Sequence, residues 1–402
     1  MRTVETIILT SLLLLAACTD DHEPTADSLV AINFEGTMAS ATRAANAIST
    51  NTDLKDAGGF GVFACYTGLH KYGDSNVHPD FMYNEHVTSS DGTNWTYSPV
   101  KYWPNGEGET NSSINTGNIP HYVSFMAYAP YSDNKGNAPE TNPAGYCIPS
   151  FSLQGEVGNP WLTYRLIPQE YLAHQVDLLY ADPLLDQTKP ATNYKLPFEF
   201  KHALACVGDK VSINCSPAMQ SQLHDRVGGG ITNARLDVTK LEIVYTLTSK
   251  ARLVLWNGGE ANWEPIHSEQ PTCTRTVTLV DAGGDPVVAY SVNNTDISGK
   301  QSEWNDKGVF YIPIGLPGFP QTAQVNLTYH VSTYNGSDWI PGPTKEGSVT
   351  INLNAYPDAY KPGKHLYINI TVNDETMTFT VTAAIAEWEN GEVGNSGNVD
   401  AI

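Results

Sequence analysis

The chain has 402 residues, and its 43 Asp plus Glu against 22 Lys plus Arg give a formal net charge of −21. That length provides for roughly two or three domains with real cores, and the acidic balance speaks against a nucleic-acid partner, which asks for basic patches. Charged residues are only 16% of the chain while Gly (33), Pro (25) and Tyr (21) are abundant, the usage of strands and turns rather than helix bundles.

The first element is a secretion signal over 1–17. Arg2 supplies the positive end, and Ile7 to Ala17 forms an apolar run broken by Thr10 and Ser11. It falls short of the about 20 apolar residues that span a bilayer, and no later run reaches about 18. The junction Leu15-Ala16-Ala17-Cys18 resembles a bacterial lipobox, with Cys18 lipidated and the signal cut away before it; the alternative is a plain signal cut at the small residues. Lipidation makes the mature chain tethered rather than spanning, at about 0.8 kcal/mol per buried CH2. The acidic tail Thr19-Asp20-Asp21-His22-Glu23-Pro24 reads either as a surface-export signal or as a solvated spacer.

In "SLVAINFEG" (28–36) Val30, Ile32 and Phe34 alternate, the pattern of a strand. The stretch "TMASATRAANAIST" follows, small and polar, and Arg43 is the only basic residue between Arg2 and Lys55. A lone Arg in an exposed loop is a target for an Arg-specific protease, or simply a loop Arg. Next come "GFGVFACY", alternating Phe60, Val62, Ala64 and Tyr66, and "YVSFMAYAP" with Val123, Phe125 and Ala127. Residues 84–94, 104–119 and 132–145 read as long loops, which on a β scaffold commonly carry binding. "LDQTKPATN" (185–193) reads as a linker, placing a domain boundary near 193, and "SPAMQSQLHD" (216–225) as a short helix.

Period-two alternation then dominates. The apolar rows are Leu241, Ile243, Tyr245 and Leu247; Val325, Leu327, Tyr329 and Val331; Val349, Ile351 and Leu353; Leu366, Ile368, Ile370 and Val372; and Met377, Phe379, Val381, Ala383 and Ile385. Asn373-Asp374 reads as the hairpin turn between the last two. Strands with one polar face in this number are a β-sandwich signature.

Few motifs carry chemistry. The six cysteines (18, 65, 147, 206, 215, 273) form no CxxC pair, which speaks against a zinc site or disulfide scaffold; they read mostly as small buried residues, though Cys206 and Cys215 could pair. "GFGVFA" has dinucleotide-turn spacing but neither a preceding strand nor a following helix. His202 sits between apolar neighbours and reads as structural. No HExxH, GxSxG, P-loop or EF-hand pattern occurs, and no two of the scattered Asp and Glu stand out as a glycosidase pair. Trp95, Tyr97, Tyr102 and Trp103 read as core, with sugar stacking as the alternative. "NWT" (94–96) fits a glycosylation pattern foreign to a bacterial lipoprotein.

Lipobox, acidic tail, "I-x-F" strand, "TRA" and "FGVFA" (60–64) stand in order, followed by "YWP" (102–104), "FMAYAP" (125–130), "DLLYA" (177–181), "FKHALACV" (200–207), "PGKHLYINITV" (362–372) and "AAIAEWENG" (383–391). Together they resemble the fimbrillin family, the Mfa-like and FimA-type pilin lipoproteins of anaerobic Gram-negative bacteria. The resemblance implies an all-β chain of two tandem β-sandwich domains, Greek-key and transthyretin-like, with long loops and few short helices. It divides the chain into a signal (1–17), a lipidated leader with a removable first strand (18–43), an N-terminal sandwich (44–193) and a C-terminal sandwich (194–402).

By the same resemblance the protein is exported to the outer membrane and cell surface and held there by Cys18. An Arg-specific protease cuts after Arg43, and Ala44 becomes the new N-terminus. Loss of the strand bearing Val30, Ile32 and Phe34 opens a groove for a strand of the next subunit in a fimbrium. The tail after Trp388 is polar, so the donor would be the strand carrying Met377, Phe379, Val381 and Ile385. Partners are then other fimbrial subunits, the protease, the membrane through the lipid, and a host or bacterial surface ligand for a tip or accessory adhesin. No enzyme activity, cofactor or metal is expected. The competing readings are a monomeric glycan-binding surface lipoprotein using the 84–119 loops and a surface hydrolase on a β scaffold.

Overall fold

Alternating apolar residues bury one face of a strand and leave the other to a second layer or to water, so a chain patterned this way must stack sheets. The computed structural model describes residues 30–39, 47–74, 78–104, 121–190, 194–258, 261–266, 271–293, 303–305, 307–316, 318–356, 361–374 and 378–387. The expectations placed on the signal segment, on Cys18, Arg43, Ala44 and Met377, on most of the 104–119 loop and on the tail from Trp388 lie outside these residues.

In chain order the strands are β1 (Asn33–Met38), β2 (Phe60–Gly68), β3 (Met82–Ser89), β4 (Trp95–Thr96), β5 (Tyr122–Ala129), β6 (Ser150–Phe151), β7 (Trp161–Arg165), β8 (Leu179–Ala181), β9 (Leu184–Gln187) and β10 (Lys195–His202). They continue with β11 (Ala205–Cys215), β12 (Asn233–Thr248), β13 (Lys250–Val254), β14 (Asn262–Pro265), β15 (Thr272–Val280), β16 (Val287–Ser291) and β17 (Glu303–Asn305). The last are β18 (Val309–Tyr311), β19 (Thr322–Tyr334), β20 (Trp339–Pro341), β21 (Lys345–Asn352), β22 (Lys364–Val372) and β23 (Phe379–Glu387). Short helices α1 (Asn51–Asp56), α2 (Pro143–Cys147) and α3 (Pro217–Asp225) decorate them. The chain is all-β in character, and α3 falls on the segment expected to be helical, capped by the Ser216 side chain with Pro217 opening it. Among the described residues no helix is long and apolar enough to cross a membrane.

The strands form four sheets. The first runs β1-β10-β8-β5-β2-β3-β4, with β9 also on β5; the second β17-β11-β22-β23, with β18 on β11; the third β15-β12-β19-β20, with β16 and β21 on its flanks; the fourth β14-β13-β7-β6. The C-terminal rows behave as their alternation requires. Leu241, Ile243, Tyr245 and Leu247 on β12 and Leu366, Ile368, Ile370 and Val372 on β22 are all buried in one shared core. β22 and β23 form the expected hairpin, paired from Val372↔Phe379 to Lys364↔Glu387.

The first sheet departs from simple alternation. Phe60, Val62 and Ala64 enter one core with Phe34, Phe125 and Phe198, while Phe63, Met126 and Tyr128 point the other way into the larger core. Its central strands are covered on both faces, which is why they read as nearly continuous apolar runs. Tyr66, expected on the apolar row, is 39% exposed, because β2 there leaves the covered part of the sheet.

Two loop readings are corrected. Residues 84–89 belong to β3, whose polar outer face resembles loop composition; Asn84, at φ 50°, sits beside a register shift and donates its amide to Ser132 O at 2.9 Å. Residues 185–187 of the expected linker are part of β9, paired with β5. The expected boundary near 193 lies between β9 and β10, two strands of the same first sheet, and the fourth sheet draws β6 and β7 from before it and β13 and β14 from after it.

Candidate functional site: the first strand and its groove

β1 lies parallel to β10, in register from Asn33↔Lys195 to Met38↔Phe200. The residues just ahead of it reach the opposite end of the sheet. Ala31 bridges Tyr102, Ile32 N–H donates to Lys101 O at 2.9 Å, and Trp103 N–H donates to Val30 O at 2.9 Å. The Tyr97 hydroxyl closes this seam, donating to Ile32 O at 3.0 Å and accepting from Lys101 N–H at 3.1 Å. β1 is therefore paired along its length with β10 at one edge of the sheet, while Val30, Ala31 and Ile32 just ahead of it bond to residues 101–103.

Its side chains fill the core beneath. Ile32 and Phe34 are fully buried and Val30 packs at the margin. The Phe34 ring stacks on Phe198 (centroids 5.7 Å apart), meets Phe125 edge-on (5.9 Å) and touches Tyr97 (5.3 Å). Gly36 continues the inward row, and a Cβ there would stand 2.7 Å from the Phe60 ring. Sequence reading found Val30, Ile32 and Phe34, but not Gly36, whose smallness matters only once Phe60 is opposite.

The chain is anchored on both sides of residue 43. Before it, Ala39 N–H donates to Phe200 O at 3.0 Å and Met38 N–H to Asn51 Oδ1 at 3.1 Å. After it, Ile48 N–H donates to Asp177 Oδ2 at 2.9 Å, and Asp177 in turn holds buried His202, the last residue of β10, 2.9 Å from Nδ1. His202 is thus structural, as expected. Thr50 and Asp53 then form a capping box on α1, Thr50 Oγ1 accepting from Asp53 N–H at 3.1 Å and Asp53 Oδ2 from Thr50 N–H at 2.9 Å. Burial works to raise the Asp53 carboxyl, but bonds from Thr50 and Ser49 outweigh it and hold it below its ordinary value.

The proposed donor residues lie elsewhere. Phe379, Val381 and Ile385 sit on β23, the edge strand of the second sheet, buried in the larger core. The two rows belong to separate cores and are not brought together. Among the aromatics weighed for sugar stacking, Trp95 and Trp103 are buried and Tyr97 packs on Phe34, as the core reading expects; Tyr102 alone is exposed. The described cysteines are free thiols, Cys206 and Cys215 included, and Cys273 is the least buried. Burial pushes the Cys65, Cys147 and Cys215 thiols up to about 12.

Comparison with known proteins agrees with this architecture. The chain is 21% identical over 357 residues to the fimbrium subunit Fim1C of Phocaeicola vulgatus, covering 85% of this chain and 84% of that one. Its fold is similar to the crystal structure of a fimbrial protein from Bacteroides vulgatus, with a TM-score of 0.59 and 19% identity over 89% of this chain and 99% of that one. The model of the fimbrillin-like family matches residues 42–247, more than half the sequence. The chain belongs to the fimbrillin-like family.

Proposed function

We propose that the protein is a fimbrial subunit or fimbria-associated adhesin of the cell surface, exported as a lipoprotein through Cys18 and switched to assembly by cleavage after Arg43. The observation that carries this reading is the seam: one short strand closes the first sheet between β10 and residues 101–103, while the chain from Ile48 onward keeps its own anchors to Asp177. A cut at Arg43 would leave β1 held only by non-covalent contacts and spare the rest of the domain. Departure of β1 would bare the β10 backbone edge and the apolar floor of Phe125 and Phe198, which a strand from another subunit covers.

β23 is the candidate donor, resting on the same reading. Its row Phe379, Val381, Ala383 and Ile385 has the spacing of Ile32, Phe34, Gly36 and Met38, with the small residue third in each. Ala383 brings a Cβ to the place where one at Gly36 would stand 2.7 Å from the Phe60 ring, so that ring must shift to admit β23. Release of β23 must break its nine-residue strand ladder with β22, so this half of the exchange needs the neighbouring subunit to fill the second sheet in return.

The test is N-terminal sequencing of surface-extracted protein together with an unboiled denaturing gel. An N-terminus at Ala44 and a heat-sensitive ladder are expected. A blocked Cys18 N-terminus with a single monomer band would overturn strand exchange and leave an unprocessed accessory lipoprotein.

A further inference from the structure

Apart from the groove, Cys206, Asp209 and the sequence-distant His365 meet at the second sheet. Cys206 on β11 and His365 on β22 are direct register partners in a parallel pair. The ladder between these strands skips from Val207 to Val211. Gly208, at φ +76°, forms the bulge and turns Asp209 toward them. A thiol sulfur, a carboxylate oxygen and a ring nitrogen from the three residues lie within 4.8 Å of one another. His365 Nδ1 is 2.6 Å from Asp209 Oδ2.

Two further observations concern oxygens at the same place. Asp209 Oδ1 and the Tyr245 hydroxyl are buried and have no hydrogen-bond partner among the described residues. Tyr245 is fully buried and reaches across from β12 to Gly208, where a Cβ would stand 2.1 Å from its hydroxyl. Burial, then the neighbouring Cys206 and Asp209, push the phenol far above its ordinary value. Gly308 covers the other side, where a Cβ would lie 2.4 Å from Cys206 Sγ and 2.6 Å from Asp209 Cβ. Buried oxygens without partners are costly in a low-dielectric interior, and each needs an explanation.

We infer that Cys206, Asp209 and His365 form a binding site for one divalent transition-metal ion of the zinc class, with the Tyr245 hydroxyl as the fourth polar group. Sulfur and imidazole donors select such ions over calcium or magnesium, which take oxygen ligands. Four-coordinate zinc holds its ligands at about 2.0–2.3 Å, so ligand atoms stand about 3.3–3.8 Å apart; the widest separation in the cluster must close by about 1 Å, while the His365 Nδ1–Asp209 Oδ2 pair, now 2.6 Å apart, must open as its hydrogen bond gives way to the ion. Binding replaces the thiol proton, which leaves to solvent past the Asp209 side chain, 11% exposed. One thiolate and one carboxylate then neutralise the ion, so the buried complex carries no net charge. The cation also reverses the local field that now opposes ionisation of Cys206 and Tyr245.

The test titrates the chelator-treated full chain with cobalt(II) and then displaces it with zinc. One equivalent of cobalt should give a thiolate-to-metal charge-transfer band and visible d–d bands, both abolished by zinc. Cys206→Ala should remove the charge-transfer band, Asp209→Asn should weaken cobalt binding at least tenfold, and Cys215→Ala should change neither. Asp209→Asn keeps the size of a partly exposed side chain and serves if Cys206→Ala does not fold. Absence of a charge-transfer band at one equivalent, its persistence in Cys206→Ala, or unchanged affinity in folded Asp209→Asn would each overturn the site.

Discussion

Phe34→Ala isolates what holds the first strand in place. Phe34 is 1% exposed and packs on Phe198, Phe125 and Tyr97. Truncating a buried Phe costs about 3–5 kcal/mol. β1 ends a sheet and can settle partly into the void, so the lower figure, about 3 kcal/mol, is expected. Domains are stable by only about 5–15 kcal/mol. In the uncleaved soluble chain starting at Thr19, urea unfolding should lose this amount, and the β10 amides at 195–200 should lose hydrogen-exchange protection more than those of β22. Phe319→Ala, at a residue 48% exposed, should stay within about 0.5 kcal/mol. A loss below about 1 kcal/mol for Phe34→Ala, or equal deprotection of β10 and β22, would refute the idea that this ring seats the strand.

Gly36→Val should weaken binding of a synthetic 28–39 peptide to the chain beginning at Ala44 by at least about tenfold, the equivalent of about 1.4 kcal/mol, since its Cβ meets Phe60 at 2.7 Å; calorimetry reads this directly. Hydrogen bonds from Asn94, Thr93 and Ser89 hold the exposed Asp91 carboxyl well below its ordinary value, and Asp133 is lowered by Lys135 N–H and Asn142. Carboxyls depressed in the folded state stabilise it above their unfolded pKa of about 3.9 and lose that contribution as pH falls toward the folded value. The urea midpoint should therefore drop from about pH 5 downward, and less steeply in Asp91→Asn. A thiol reagent should modify Cys273 before Cys65, Cys147, Cys206 and Cys215, because it alone is half-buried; mass spectrometry of a partial reaction would show the order.

How legible this structure is in the sequence depends on what covers each strand. β12, β19 and β22 alternate because one face is core and the other is not, and the period alone finds them. β3 hides because its polar residues Asn84, Glu85 and His86 have loop composition, and only pairing with β2 makes them a strand. The inward row of the first strand is visible as Val30, Ile32 and Phe34. Its partners are not, because Tyr97, Asn51 and Phe198 acquire their roles by closing the sheet. Cys206, Asp209 and His365 are equally invisible: Asp209 and His365 are 156 positions apart, and the parallel register that joins them leaves no spacing motif.

The fourth sheet bears on how such a subunit would carry tension. β7 and β13 pair from Trp161↔Val254 to Arg165↔Lys250, flanked by Leu255 N–H to Pro160 O and Leu166 N–H to Ser249 O, both at 2.9 Å. The Arg252 guanidinium lies 4.0 Å over the Trp161 ring across the same ladder. A pull entering at the β10 edge and leaving at β23 would not stretch a tether between two beads. It would also meet the ladder of backbone bonds between β7 and β13, which draws one strand from before residue 193 and one from after it. If subunits exchange strands as proposed, compliance in their filament would reside at the exchanged strands, with the bodies as stiff links.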